Sequence, residues 1–225
     1  ASAVHSLGQY SALCASGSLN LSQTAKVLKA RGEAMNESCP QGEGAMAACM
    51  NIELSELQEI INNARSFGEC AIANDNAIGQ IVISGAVAAV DKAIQQIKDL
   101  GKKAIKLKVS APFHSPMMNK AADIMQDYLE TSNVIFNEPT RPILDNSTLE
   151  YIPSKDAIKA LLVRQITHTV RWRETGDFFN ANNFTEVVEI GPGSVLTKIN
   201  QRANYSFRSC ALSSYEDILT YAGQL

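Results

Sequence analysis

Residues 44–110 read GAMAACMNIELSELQEIINNARSFGECAIANDNAIGQIVISGAVAAVDKAIQQIKDLGKKAIKLKVS. A helical spacing of apolar residues begins at Leu54, and a second such segment stops at Gly101. Short apolar runs typical of strands lie at 45–50, 70–73, 80–84 and 104–109. Residues 74–79 are expected to connect the second strand to the third. The resulting order, βαββαβ, predicts a ferredoxin-like subdomain.

The residues on either side of this block alternate helices with short apolar strands. Such alternation predicts an α/β layer built on a parallel sheet. The expected helices are 20–36, 117–130, 155–165, 172–181 and 195–202, and the expected strands are 142–144 and 186–190. We therefore predict an α/β core formed by residues 1–42 and 111–225, with the ferredoxin-like subdomain inserted as residues 43–110.

The composition is that of a globular protein, with 225 residues, 45% hydrophobic and 19% charged. A net charge of −3 gives no bulk signal for a nucleic-acid or membrane-surface partner. The five cysteines form no Cys-x-x-Cys pair, which favours reduced thiols and no structural zinc. The sequence contains neither a long apolar run nor a signal-peptide pattern. We predict a cytoplasmic protein with no metal, nucleic-acid or membrane partner.

The first chemically informative motif is Val4-His5-Ser6-Leu7-Gly8. It is close to the nucleophile elbow G-x-S-x-G, in which a serine stands exposed on a sharp turn between a strand and a helix. The backbone N–H after the serine is then available to an oxyanion. The motif is weak evidence alone, because short patterns of this kind also occur by chance.

A catalytic serine needs a base, and the chain has three histidines. His5 adjoins Ser6, so its side chain should point away and serve packing or hydrogen bonding. His168 lies in a polar stretch typical of the surface. His114 lies in a proline-bracketed segment between a predicted strand and a helix, where a loop histidine and a catalytic base are both plausible. No carboxylate is placed as a third member, so a serine–histidine dyad oriented by a backbone carbonyl is the simplest hypothesis.

Arg31 is a further candidate, at the end of the first predicted helix. It is either an exposed arginine that neutralises the negative end of that helix or a functional cation.

Six motifs in order resemble those of the malonyl-CoA:acyl carrier protein transacylases of bacterial fatty-acid synthesis, which are related to the acyltransferase domains of polyketide synthases. The resemblance runs from Ala3 to the C-terminus. Residues 5–13 resemble the family's GHSLGEYSAL, and Arg31-Gly32 with Met35 its RGxxM. The remaining segments are residues 44–48 (GAMAA), Asn76 with 80–85 (NxxxQxVISG), 111–115 (APFHS) and 189–196 (EVGPGxVL).

The resemblance implies an α/β-hydrolase-like core with an inserted ferredoxin-like subdomain, and a ping-pong transfer of malonyl groups. Ser6, deprotonated by His114, would take the malonyl group from malonyl-CoA and pass it to the phosphopantetheine thiol of acyl carrier protein. The backbone carbonyl of Gln165 would hold His114 Nδ1–H. The implied partners are acyl carrier protein and the coenzyme A thioester. We expect a monomer without a cofactor.

The resemblance also implies three substrate-binding roles. Arg31 would bind the free carboxylate of the malonyl group through paired hydrogen bonds, which favours malonyl over acetyl. Phe113 would crowd an α-methyl branch, so methylmalonyl would be the poorer substrate. The N–H of Leu7 would donate one hydrogen bond to the oxyanion.

The chain departs from the family pattern at three points. It has no GQGSQ-like segment, so we expect its core to lack the family's N-terminal part. Val4 replaces a glycine and adds a Cβ in the turn, and Gln9 replaces a glutamate and removes a charge beside the dyad. The alternatives are therefore a polyketide-type acyltransferase with another extender unit and a truncated, non-catalytic remnant that binds acyl carrier protein.

Overall fold

The computed structural model describes residues 1–109 and 111–224. Ser110 and Leu225, which terminate two of the predicted segments, lie outside the described residues. The chain divides into two compact units, Ala1–Trp172 and Arg173–Leu225. The core and subdomain boundaries expected from the sequence remain predictions.

The first unit begins with strand β1 (Ser2–Ala3), helix α1 (Gly8–Ala15) and helix α2 (Leu21–Glu37). Helix α2 starts at a capping box: Asn20 accepts a hydrogen bond from the Gln23 N–H, and the Gln23 side chain accepts one from the Asn20 N–H. The buried face of α2 includes Val27, Arg31, Ala34 and Met35. This helix corresponds to the one predicted over 20–36.

The ferredoxin-like block forms as predicted. Its elements are β2 (Gly44–Met50), α3 (Leu54–Ala64), β3 (Cys70–Ala77), β4 (Gln80–Ala86), α4 (Val87–Asp99) and β5 (Lys103–Lys106). The sheet order is β3-β4-β2-β5, with each neighbouring pair antiparallel. Apolar residues of both helices and of the sheet form one buried core, including Leu57, Ile61, Ile83, Val90 and Ile97. The last strand is shorter than the predicted 104–109.

Strand β3 differs from its prediction. Asn74, Asp75 and Asn76 were expected in a connection, but they continue the strand and are buried. Two register shifts interrupt the pairing of β3 with β4 there. On the other edge, Asp75 N–H donates to the Val170 carbonyl at 2.9 Å, and Val170 N–H donates to the Ala73 carbonyl at 2.9 Å. The backbone of this half of β3 therefore has hydrogen-bond partners on both edges.

The first unit continues with a 3₁₀ turn (Pro116–Met118), helix α5 (Asn119–Thr131), strand β6 (Ile143–Leu144) and helix α6 (Lys155–Arg164). Strand β6 pairs in parallel with β1, Ser2 opposite Ile143 and Ala3 opposite Leu144. The carboxyl ends of the two strands therefore lie side by side, which brings residues that follow β6 close to the turn after β1.

The second unit contains most of helix α7 (Trp172–Ala181), then β7 (Glu186–Ile190), α8 (Val195–Arg202), β8 (Arg208–Leu212) and α9 (Tyr215–Ala222). Strands β7 and β8 are parallel. The Glu189 carboxylate at the end of β7 accepts from the N–H groups of Leu196 and Thr197, which satisfies the start of α8. The sequence did not predict β8 or α9. In the described part of the chain, no helix is both long and apolar enough to cross a bilayer.

Candidate active site

Ser6 lies in a sharp turn between β1 and α1, with φ of +52°. Its neighbour Leu7 is the N-cap of α1, so the Leu7 N–H lies at the positive end of the helix. Val4 is buried, and a Cβ on Gly8 would lie 3.9 Å from the Val4 Cβ, an ordinary contact. The turn is therefore not crowded at this pair, and Val4 fits where the related motif has glycine.

The structure brings Ser6, His114 and Gln165 together from distant parts of the chain. Ser6 Oγ lies 2.9 Å from His114 Nε2, and His114 Nδ1 lies 2.8 Å from the Gln165 carbonyl oxygen. Because Nδ1 faces an acceptor, it carries the proton, and Nε2 is left to accept from the Ser6 hydroxyl. This is the geometry of a nucleophile, a base and a group that orients the base.

The environment of His114 keeps its imidazole neutral. Burial, then the positive charge of Arg31, lower the pKa of His114 to about 4, while the hydrogen bond to the Gln165 carbonyl opposes the shift. A base with this pKa is unprotonated at neutral pH. It can therefore accept the serine proton without first losing one of its own.

Arg31 is buried in α2, six residues before the helix ends, so the interpretation as an exposed helix-end arginine is wrong. Its Nη2 donates to Ser6 Oγ at 2.9 Å and to Gln165 Oε1 at 3.2 Å. The guanidinium carbon lies 5.6 Å from the centre of the Tyr10 ring. Burial raises the pKa of Tyr10 to about 12, so this neighbour is neutral. Among the described residues, no carboxylate forms an ion pair with Arg31.

A cavity of about 640 Å³ opens beside the dyad. Ser6, Arg31, His114, Phe113 and Met46 are among its lining residues, so the cavity combines a nucleophile and a cation with apolar walls. Leu7, the residue after Ser6, is half exposed.

The other two histidines have hydrogen-bond partners away from Ser6. His5 Nε2 lies 3.1 Å from Asn76 Oδ1, and its ring packs against Trp172 at a centroid distance of 6.0 Å. His168 is exposed, and its Nδ1 lies 2.8 Å from the Arg164 carbonyl oxygen. Within residues 1–109 and 111–224, no group of three or more His, Cys, Asp or Glu side chains could hold a metal ion.

Sequence reasoning missed Asp145 and Asn146, which follow β6 and support the turn that carries Ser6. Asn146 Oδ1 accepts from the Ser6 N–H at 3.3 Å. Asp145 Oδ2 accepts from Gln9 Nε2 at 2.8 Å, so a carboxylate lies one hydrogen bond from the position where the related motif has glutamate. A signal existed, because the polar run from Asp145 to Ser147 directly follows a strand of a parallel pair, where α/β folds place functional groups.

Comparison with known proteins identifies the class of this chain. The acyl transferase domain family matches residues 2–218. The malonyl CoA-acyl carrier protein transacylase of Bacillus subtilis (strain 168) is 37% identical over 216 residues, which are 95% of this chain and 68% of that protein. The acyl-carrier-protein-S-malonyltransferase from Bartonella henselae has a crystal structure with a TM-score of 0.93 and 40% identity, covering 99% of this chain and 70% of that one.

The chain is also similar to a solved structure of a protein complex. The structure described as a type II PKS acyl-carrier protein with its malonyl-transacylase has a TM-score of 0.94 and 32% identity, covering 99% of this chain and 72% of that one. These likenesses confirm the predicted fold class, α/β with an inserted ferredoxin-like subdomain. The chain belongs to the acyl transferase domain family.

Proposed function

We propose that this chain transfers a malonyl group from malonyl-CoA to the phosphopantetheine thiol of acyl carrier protein through a malonyl-Ser6 intermediate. The observation that carries the proposal is the position of Arg31, whose buried guanidinium donates to Ser6 Oγ at 2.9 Å inside the cavity. Relatives named for this transfer, and a relative bound to a carrier protein, support it. The role assigned to each residue below is part of the proposal.

In the first half-reaction, Ser6 Oγ attacks the thioester carbonyl carbon while its proton moves to His114 Nε2. A C–O bond forms, and the intermediate then collapses by breaking the C–S bond. The leaving sulfur takes the proton from His114, so CoA departs as a thiol and the enzyme holds a malonyl ester. The Leu7 N–H donates to the carbonyl oxygen as negative charge develops on it.

The second half-reaction repeats these steps in reverse with another thiol. His114 removes the proton of the phosphopantetheine thiol, the sulfur attacks the ester carbonyl, and Ser6 recovers its proton from His114. One histidine serves as base and then as acid in each half, and a backbone carbonyl orients it in place of a carboxylate. The Gln165 carbonyl keeps the imidazole in the tautomer that both halves require.

Substrate choice follows from charge and space beside Ser6. A malonyl carboxylate supplies the anion that Arg31 lacks, through a bidentate pair that a lysine could not reproduce. An acetyl group would leave the buried guanidinium without an anion, so acetyl transfer is slower. Phe113 lines the same cavity and limits the room for an α-methyl branch.

Intact-protein mass spectrometry after brief exposure to malonyl-CoA tests the proposal. The wild-type chain should gain one malonyl group, and Ser6→Ala should gain none. Ser11→Ala, which changes an exposed serine on α1, is the matched control and should label like the wild type. Addition of acyl carrier protein bearing its phosphopantetheine should remove the label from Ser6.

Every other outcome contradicts one stated part of the proposed function. An unlabelled wild type refutes the malonyl-serine intermediate and favours a non-catalytic remnant, whereas a labelled Ser6→Ala variant refutes Ser6 as the residue that accepts the malonyl group. A stable label in the presence of the carrier protein refutes the second half-reaction. Equal labelling by methylmalonyl-CoA refutes the role of Phe113 and favours a polyketide-type enzyme with another extender unit.

A further inference from the structure

A line of buried hydrogen bonds connects Asp145 to Arg31 through two glutamine side chains. Gln9 Nε2 donates to Asp145 Oδ2 at 2.8 Å, and Gln165 Nε2 donates to Gln9 Oε1 at 2.7 Å. Arg31 Nη2 then donates to Gln165 Oε1 at 3.2 Å. Asp145, Gln9 and Gln165 are each fully buried, and Arg31 is 8% exposed.

The two ends of the line have opposite and fixed hydrogen-bonding character. An ionised carboxylate only accepts, and a guanidinium only donates. A glutamine amide can face either way, but between these two ends only one orientation of each amide satisfies every contact. If both amides turned over, the Gln9 carbonyl would face the Asp145 carboxylate, and the Gln165 NH₂ would face Arg31. Each would be an unpaired contact in a buried site.

Asp145 is itself held firmly. Its Oδ1 accepts from the Ser147 N–H at 2.8 Å, the Ser147 hydroxyl at 2.7 Å and the Thr148 N–H at 2.9 Å. These donors occupy one carboxylate oxygen and leave Oδ2 for Gln9. The residue follows directly after β6, whose pairing with β1 fixes it relative to the turn that carries Ser6.

We propose that Asp145 is a positioning residue that sets the direction of the Gln9 and Gln165 amides and so presents an acceptor to Arg31, holding its guanidinium for the substrate carboxylate. Gln165 contacts two functional residues of the site. Its side-chain oxygen holds Arg31 and its backbone oxygen holds His114, so the carboxylate-binding group and the base share one support. The part that concerns substrate choice rests on the proposed function, but the amide directions do not.

Exchanging the carboxylate and the amide between Asp145 and Gln9 tests the proposal. In Gln9→Glu, two carboxylates would face each other in a buried site, so we expect the melting temperature to fall by about 5 °C or more. In Asp145→Asn, the Asn NH₂ would face the Gln9 NH₂ unless both glutamine amides turn over. The double variant Q9E/D145N restores a donor facing an acceptor at every contact, so its melting temperature should return to within about 2 °C of the wild type.

Substrate selectivity is the second measurement, and a merely structural role would not change it. In Asp145→Asn, we expect the ratio of kcat/KM for malonyl-CoA to that for acetyl-CoA to fall by about tenfold, because Arg31 loses the Gln165 oxygen as an acceptor. The loss should fall on malonyl-CoA, with acetyl-CoA little changed. In Q9E/D145N, the ratio should return to within about threefold of the wild type.

Gln95 and Asp99 provide a matched control. Gln95 Nε2 donates to Asp99 Oδ1 at 2.7 Å, but the pair is exposed on α4. The variants Q95E, D99N and Q95E/D99N should leave the melting temperature within about 2 °C and the substrate ratio unchanged, because water satisfies either orientation.

The outcomes separate the two proposals. If the wild type forms no malonyl adduct, the proposed function fails, while the melting temperatures of the Gln9 and Asp145 variants still decide the amide directions. If the double variant is no more stable than Gln9→Glu, or if Asp145→Asn keeps both wild-type stability and the wild-type substrate ratio, the positioning role of Asp145 is overturned. If Asp145→Asn does not fold, a folded and selective double variant supports the role, and an unfolded one overturns it.

Discussion

At the scale of single residues, Ser6 and His114 share an uncommon backbone conformation. Their φ angles are +52° and +57°, in the left-handed region that non-glycine residues rarely adopt. Such conformations cost about 1–3 kcal/mol each and persist where surrounding contacts enforce them. The Ser6 N–H bond to Asn146 and the His114 bond to the Gln165 carbonyl supply such contacts. The strain places both side chains at one point, which a regular strand or helix would not do.

The depressed pKa of His114 makes stability depend on pH. The pKa of the His114 imidazole is 6.5 in the unfolded state and about 4 in the folded state. Between these two pH values the unfolded state therefore binds more protons than the folded state. Stability is therefore lost as pH falls from about 6.5 to about 4, by about 3 kcal/mol in total. His114→Asn, which tolerates a positive φ and can donate to Gln165, should lose less stability over that interval in urea unfolding.

The comparison between His114→Asn and the wild type isolates this residue, because every other residue is the same in the two proteins. His168→Asn removes an exposed imidazole and should follow the wild-type curve. Parallel pH curves for His114→Asn and the wild type would contradict the buried, neutral state of His114.

The discrimination by Arg31 depends on the shape of its guanidinium as well as on its charge. Arg31→Lys keeps the positive charge but loses the planar pair of donors, so the malonyl-to-acetyl ratio of kcat/KM should fall by about tenfold or more. Steady-state rates with both thioesters measure the ratio. Arg141→Lys changes an exposed arginine and should leave the ratio unchanged. A wild-type ratio in Arg31→Lys would show that charge alone selects the substrate.

At the scale of elements, the ferredoxin-like block was predictable because each of its segments carries a strong local pattern. Helices α3 and α4 show apolar residues at helical spacing, and β2 and β4 are short apolar runs bounded by polar turns. The buried polar half of β3 was not predictable from local pattern. Its place in the sheet depends on hydrogen bonds with Val170, almost one hundred residues away, and no local signal reports a contact of that kind.

Two glycines test whether the elements tolerate a side chain. A Cβ on Gly85 in β4 would overlap the Glu69 carbonyl group, whose oxygen accepts from the Ala86 N–H. Because backbone cannot easily yield, Gly85→Ala should destabilise the protein by about 3 kcal/mol. Gly32 lies on the exposed face of α2 with open space where a Cβ would lie, so Gly32→Ala should stabilise by up to about 1 kcal/mol.

Urea unfolding of both glycine variants measures these differences. The two substitutions are chemically identical, so their opposite signs would report only the local surroundings. Equal stability changes at the two positions would contradict the close approach of Gly85 to the Glu69 carbonyl.

At the scale of the whole molecule, the sequence predicted the members of the site better than the connections between them. Ser6, His114 and Arg31 were candidates from the residues themselves, and the resemblance supplied their roles and added Gln165. The residues that support them, Asp145 and Asn146, follow β6, and Asp145 lies 136 residues beyond its partner Gln9. A sequence shows which residues could carry chemistry, whereas the partner of a buried amide follows from the folded chain, so the line from Asp145 to Arg31 required the structure.

The five cysteines are free thiols distributed over both compact units. Cys14 and Cys210 are half-buried, whereas Cys39, Cys49 and Cys70 are buried. Burial raises the pKa of Cys49 to about 12 and that of Cys70 to about 11, so neither forms a thiolate readily in the folded protein. Labelling of these thiols therefore reports unfolding of the part of the molecule that contains each one.

Labelling with N-ethylmaleimide at increasing urea concentrations, followed by peptide mapping, uses the thiols as probes of the two units. Without urea, Cys14 and Cys210 should react first, because reagent reaches half-buried sulfur. Cys49 and Cys70 belong to the same buried core of the ferredoxin-like block, so they should become reactive together, at the urea concentration where that core opens. Cys210 lies on β8 in the second unit, so its labelling without urea does not depend on the opening of that core. Complete labelling in guanidinium chloride is the control. Rapid labelling of Cys49 without urea, or separate transitions for Cys49 and Cys70, would contradict a single cooperative core.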